Sequence, residues 1–256
     1  MNITYRHSGV SISSIEELIE KYPDTEFNSP QRSTIPSLIF WMDTENRVHE
    51  LSGALDLVPP QDCTVEFEYL VAPPAGQGKK SHTDVMLWCG TTCIGVEAKY
   101  TEPPYEEVSR WLTGGSNPAN RLKVLGGWCD IISEVTGKKC SVDSLGELTY
   151  QMIHRIASVC SRPEKQKHLL YQIFDPQPGK TEFYREQLRS LKEVLEIGSS
   201  VGIHIATVPV SCLEAHSILV KEWQKNKKLS TCRNDVKVGL KNRNLMSCGQ
   251  LSIETI

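Results

Sequence analysis

The chain is 256 residues long, with 28 Lys and Arg against 31 Asp and Glu and a formal net charge of −3. That length carries one sizeable core, or one domain with appendages, and the balanced charge excludes a globally basic polyanion binder. No apolar run approaches the roughly 18 residues of a membrane helix.

The nine Cys contain no CxxC pair, so they read as free thiols of a cytoplasmic protein rather than as a disulfide framework or a zinc ribbon. The opening MNITYRHSGVSISSIEEL lacks the apolar centre of a signal peptide. Charge is uneven: residues 221–256 hold eight Lys or Arg and three Asp or Glu, a net +5 that leaves −8 for the first 220 residues. Such a tail suits phosphate contact by counterion release, or a solvated end.

Residues 1–11 read as irregular. A helix is expected from Ser13 to about Tyr22, with Ser13 and Glu16 as a capping box and Pro23 beyond its end. Ile39-Phe40-Trp41-Met42 is a core-packing run, and residues 49–55 read as a short helix. Together residues 1–60 form an N-terminal helical extension. Residues 65–71, VEFEYLV, alternate as a first core strand, with Glu66 and Glu68 on one face and Phe67 and Tyr69 on the other. Glu68 is either a further carboxylate near a site or a solvent-facing edge residue.

The most informative stretch is Ser81 to Lys99, SHTDVMLWCGTTCIGVEAK. Two apolar runs flank a turn at Gly90-Thr91, predicting a hairpin. Asp84 then falls opposite the region of Glu97, and Glu97 and Lys99, two apart, share a face. Two carboxylates suit a hard divalent cation, which is usually held by one or two carboxylates plus a substrate phosphate. An adjacent Lys can orient a water or offset charge on a phosphate. The bland alternative is a surface hairpin with solvated charges. Lys79, Lys80 and His82 lie beside Asp84, where a phosphate could approach. The sequence shows no interleaving of aromatic and basic residues of the kind nucleic-acid binders carry.

Beyond Pro103-Pro104 a helix is expected over 105–112 and a core helix over 119–135. Another, from about Asp143 to Cys160, places Glu147, Gln151 and Arg155 four apart on one stripe. There Gln151 could hold a water or phosphate oxygen and Arg155 a phosphate, or the stripe is simply a polar helix surface. Strands at 168–174 and 202–210 flank an amphipathic helix from Thr181 to about Ile197, so the class is α/β. Residues 61–212 form the core and 213–256 a basic C-terminal extension.

Asp84 followed by Glu97-Ala98-Lys99 at the end of the next strand resembles the signature of the PD-(D/E)XK, or restriction-endonuclease-like, nuclease superfamily. The resemblance extends over roughly residues 65 to 210, through Glu68-Tyr69-Leu70-Val71, Ser81-His82-Thr83-Asp84, Glu102-Pro103, Trp111-Leu112, Arg121-Leu122 and Tyr150-Gln151-x-x-His154-Arg155, in the order of an uncharacterised bacterial branch.

It implies a restriction-like core, a mixed central sheet of about five strands flanked by helices. It implies a Mg²⁺- or Mn²⁺-dependent nuclease acting on DNA or RNA, with defence against foreign DNA as a role that fits the family. Asp84, Glu97 and Lys99 would be catalytic and Asp84, Glu97 and Glu68 metal ligands, with Gln151, Arg155, Glu102 and His82 in support. A further helix-borne acid, Glu16, Glu17, Glu20 or Glu50, would fit the pattern. A homodimer rests on analogy only. The alternative is a non-catalytic module of the same fold that binds nucleic acid or a protein partner.

Overall fold

The computed structural model describes residues 1–58, 60–225 and 232–256. Strands β1 (Asn2–His7) and β2 (Val10–Ile12) form a hairpin over Ser8 and Gly9. Both turn residues have positive φ, 48° and 88°, as a two-residue turn matched to strand twist requires. Helices α1 (Ile15–Lys21), α2 (Thr34–Trp41) and α3 (Thr44–Ala54) come next. Ser14, one residue later than expected, caps α1 by accepting from Glu17 N, and Glu17 reaches back to Ser13 N.

Strands β3 (Asp62–Val71), β4 (Ser81–Cys89) and β5 (Thr92–Lys99) make an antiparallel meander. Then come α4 (Val108–Thr113), α5 (Pro118–Thr136) and α6 (Tyr150–Cys160), and after them β6 (Gln166–Phe174). Next are α7 (Pro178–Val194) and β7 (Gly202–Val208). Strand β8 (Val210–Cys212), helices α8 (Glu214–Lys225) and α9 (Cys232–Lys241), and strands β9 (Met246–Cys248) and β10 (Ser252–Thr255) complete the chain.

Among the described residues eight strands form one mixed sheet, in the order β10-β7-β6-β5-β4-β3-β1-β2. The five expected strands are β3 to β7. The other three come from segments that read as irregular or as appendages. β1 offers only Ile3 and Tyr5 as apolar signal, yet it pairs in parallel with β3 over six residues. β10 closes the other edge against β7. The segment 1–60 is therefore not purely helical, and the C-terminal segment is built into the sheet.

Side chains alternate between two cores. Helices α1, α2, α3 and α9 cover one face, over Val85, Leu87, Ile94, Val96 and Ala98. Helices α5, α6 and α7 cover the other, over Met86, Cys93, Leu169 and Ile203. The parallel steps β5–β6 and β6–β7 are each bridged by helices, as parallel pairing demands. The expectation of nine free thiols is corrected. Cys63 on β3 and Cys89 on β4 form a disulfide, and the other seven cysteines are free. Antiparallel register sets that pair opposite one another, which a separation of 26 residues does not reveal.

Candidate active site

Helix α6 runs antiparallel to β5 in matched register. Val159 lies over Gly95, Arg155 Nε donates to Glu97 Oε2, and Lys99 Nζ donates to Gln151 Oε1 at 2.7 Å. Four residues of helix advance about 6 Å and two residues of strand about 6.6 Å, so three successive contacts stay aligned. Gly95 permits the close approach, since a Cβ there would sit 2.5 Å from Val159 Cγ2. The Tyr-Gln-x-x-His-Arg helix and the Glu-x-Lys strand are thus one unit.

Glu97, Lys99 and Arg155 are all buried, at 2%, 8% and 5% exposure. Lys99 Nζ also donates to Glu97 Oε1 at 2.7 Å, so both oxygens of Glu97 face a cation. Arg155 NH1 reaches Ser81 Oγ at 3.0 Å and His154 Nδ1 at 2.9 Å. That contact makes Nδ1 the acceptor and leaves the His154 proton on Nε2. Burial holds His154 neutral, its pKa far below the usual histidine value, and the charges of Arg155, Lys99 and His82 act in the same direction. Burial also opposes ionisation of Glu97, but Arg155 and Lys99 outweigh it and keep that carboxyl below its ordinary range.

Asp84 has the opposite character. Its Oδ2 accepts from Ala98 N at 2.7 Å, which ties it to β5 beside Glu97. Part of its surface meets solvent, yet protein crowds it on most sides. That burial lifts its pKa well above the carboxylate range, and repulsion from Glu97 and then Glu68 adds to the rise.

Glu68 stands in the left-handed region at φ 53°, where a non-glycine residue is strained. Its conformation switches the faces of β3: Val65 and Phe67 enter one core, whereas Tyr69 and Val71 pack against the other. Phe67 and Tyr69 therefore do not share a face, correcting the strict alternation. The Glu68 carboxylate lies 3.3 Å from His82 Nδ1, so Glu68 influences Asp84 by charge while its own contact is His82.

A cavity of about 440 Å³ opens alongside, and Ser81, Gln151, His154 and Arg155 belong to its wall as well as to the site. A family model described as a domain of unknown function, DUF6946, matches residues 11–227. The chain belongs to the DUF6946 family. No curated protein and no solved structure matches the chain. The DUF6946 match takes in every residue of the site and its cavity and ends before α9.

The DUF6946 structure brings Asp84, Glu97, Lys99, Gln151 and Arg155 together, with Glu68 and His82 at the margin. It does not bring Glu102. That carboxylate accepts from Ser33 N and Tyr100 N, fastening the loop after β5 to α2. Glu147 is exposed and precedes α6, which starts at Tyr150 rather than Asp143; Gly146 ends the preceding 3-10 turn. The helix-borne acids are spent elsewhere. Glu16, Glu17 and Glu20 face Arg243, Lys21 and Lys241, and Glu50 faces Arg47.

Sequence reasoning missed Ser81 and His154 as site neighbours. The signal for His154 was its place beside Arg155 in the helix motif. For Ser81 it was its place in the Ser81-His82-Thr83-Asp84 segment, but its contacts with Arg155 and Ser158 depend on where α6 crosses β4.

Proposed function

We propose that the chain is a divalent-metal-dependent nuclease of the restriction-endonuclease-like kind, hydrolysing phosphodiester bonds in DNA or RNA. The observation that carries this reading is the convergence of Asp84, Glu97 and Lys99 at one strand end, buttressed by Gln151 and Arg155.

The donors fit a hard cation. Asp84 spends one oxygen on Ala98 N; burial first, and then the nearby charges of Glu97 and Glu68, disfavour its ionised form, and a bound cation would favour it. The buried Tyr171 hydroxyl, on β6 opposite Glu97, has no partner among the described residues and can serve a bound water. Among the described residues no three His, Cys, Asp or Glu groups are placed to hold an ion by themselves. Asp84 and Glu97 would hold Mg²⁺ or Mn²⁺, with water and a substrate phosphate completing its shell. The bound ion would supply Lewis-acid polarisation of a phosphate oxygen.

Lys99 uses two of its three N–H donors on Glu97 and Gln151. The third is left to orient an attacking water or to offset charge on the scissile phosphate. Arg155 reaches its protein partners through Nε and NH1, which leaves NH2 for a non-bridging oxygen. His154, neutral, accepts from Arg155 and holds that guanidinium in place.

The test is cleavage of plasmid, single-stranded DNA and RNA with Mg²⁺, Mn²⁺ or EDTA, with Asp84→Ala and Lys99→Ala prepared in parallel. Metal-dependent cutting that falls by roughly 100-fold or more in both variants is expected. Full activity in Lys99→Ala would overturn the assignment. One observation favours a second reading, a non-catalytic binding module: both Glu97 oxygens are already neutralised by cations. Calorimetric titration with Mg²⁺ separates the two, because that module would take up no ion dependent on Asp84.

A further inference from the structure

The cavity beside Lys99 and Arg155 has a composition of its own. Among the described residues its wall contains no carboxylate. Lys79, Lys80 and Arg121 line it, and none of the three has an acidic partner among the described residues, although ion pairs are common elsewhere on this chain. The uncompensated charge is held in place. Gln77 N donates to Asn120 Oδ1 at 2.7 Å and Asn120 Nδ2 donates to Gln77 O at 2.6 Å. This paired clamp fastens the loop carrying Lys79 and Lys80 to α5.

The opposite quality is aromatic. Trp111 and Tyr150 stack with centroids 3.7 Å apart and planes 9° from parallel. Trp128 Nε1 donates to the Tyr150 hydroxyl at 3.3 Å, and the Arg121 guanidinium lies 5.0 Å from the Trp111 ring centre. This wall is assembled by contacts within the chain. Tyr105, half-exposed at 50%, is a ring of the same cavity with no aromatic partner among the described residues. Trp111 and Arg121 come from helices α4 and α5 and Tyr150 from α6, so the basic and aromatic groups interleave in space and not along the chain.

We propose that this cleft takes one unpaired nucleotide of a single-stranded nucleic acid, its phosphates on Lys79, Lys80 and Arg121 and its base among Tyr105 and the Trp111–Tyr150 wall. Anion and flat ring together are the chemistry of a nucleotide, and cations beside aromatics are how sequence-tolerant single-strand binders work. The volume, about 440 Å³, is that of a small-ligand site, so a paired base enters only after leaving its stack. Binding stands on the cleft alone, and only the use made of it rests on the nuclease reading: a nucleotide seated here sets its neighbouring phosphate towards Lys99 and Arg155.

The experiment is fluorescence anisotropy of the full chain in EDTA, where binding is read without cutting. The probes are a fluorescein-labelled oligothymidylate, the same strand in a duplex with oligoadenylate, and thymidine monophosphate as competitor. The single strand is expected to bind most tightly. The Lys79→Glu/Lys80→Glu double variant and Tyr105→Ala, both on exposed positions and checked by unchanged urea midpoints, are each expected to weaken it by about tenfold or more.

Equal affinity for the duplex, equal affinity for the mononucleotide, or unaltered binding by the double variant would each overturn the proposal. A chain that binds the oligonucleotide in EDTA yet cuts nothing with Mg²⁺ keeps the cleft and removes the nuclease reading. A chain that cuts while the double variant binds as before does the reverse.

Discussion

Asp84 and Glu97 are one strand apart and electrostatically opposed. Glu97 has its folded-state pKa lowered by Arg155 and Lys99 against the pull of burial. Its contribution to stability is therefore present above the ordinary Glu value of about 4.3 and is lost as pH falls through the folded value. Asp84 has its folded-state pKa raised by burial and by its acidic neighbours. Its contribution is intact below about 3.9, the ordinary Asp value, and is lost as pH rises through the folded value.

At neutral pH the raised pKa of Asp84 is thus a cost the fold carries, as it often is for functional carboxylates. Asp84→Asn is expected to raise stability in EDTA at pH 7 by about 0.5–2 kcal/mol. The gain should shrink towards pH 4, and Mg²⁺ should stabilise the wild type and not the variant. Urea midpoints across pH, with and without Mg²⁺, measure this. A lower midpoint for the variant at pH 7 would show that Asp84 stabilises the fold in its ionised form.

The element that makes a site out of these residues is α6 laid along β5. Its register hinges on Gly95, where added bulk meets Val159. Gly95→Ala is expected to cost about 1–3 kcal/mol by overpacking. It should also displace Gln151 and Arg155 from Lys99 and Glu97, so that activity falls more than stability alone explains. Cleavage rates of the folded variant, compared with those of Val159→Ala/Gly95→Ala, check this, since trimming Val159 should restore the register.

Much of this was legible in the chain. The β4–β5 hairpin followed from two apolar runs around Gly90-Thr91, and Glu97 and Lys99 shared a face because strands have period two. Gln151 and Arg155 were legible as a helix stripe. What was hidden depended on non-local geometry. Glu68 breaks alternation through a positive φ that its side chain does not advertise. Glu102 is captured by Ser33, 69 residues away. The cleft draws its aromatic and basic groups from two loops and three helices, so no window of sequence contains it.

At the scale of the molecule, three of the eight Lys and Arg in residues 221–256 find acidic partners within the chain. Lys237 pairs with Asp24 at 2.9 Å, Lys241 with Glu20, and Arg243 with Glu16 at 3.7 Å. The described part of the basic tail thereby packs against α1 and the 3-10 turn at Asp24–Phe27, on the layer opposite the cleft. Lys227 and Lys228 lie outside the described residues. The tail is in this respect a structural element more than a phosphate-binding arm.

Which force holds it is decided by magnitude. The ion pairs are mostly exposed, and such pairs contribute little measurable stability. Val236 and Leu240 are fully buried in the core shared with α1 and α2, and truncating a buried Leu to Ala typically costs about 2–5 kcal/mol. Leu240→Ala is therefore expected to lower the urea midpoint far more than Lys237→Ala, Lys241→Ala and Arg243→Ala combined, and 1 M salt to change the wild-type midpoint little. A triple charge variant less stable than Leu240→Ala, or a wild type that loses most of its stability in salt, would mean that α9 is docked by charge. The acidic N-terminal helix would then be the mate that the basic tail was built to meet.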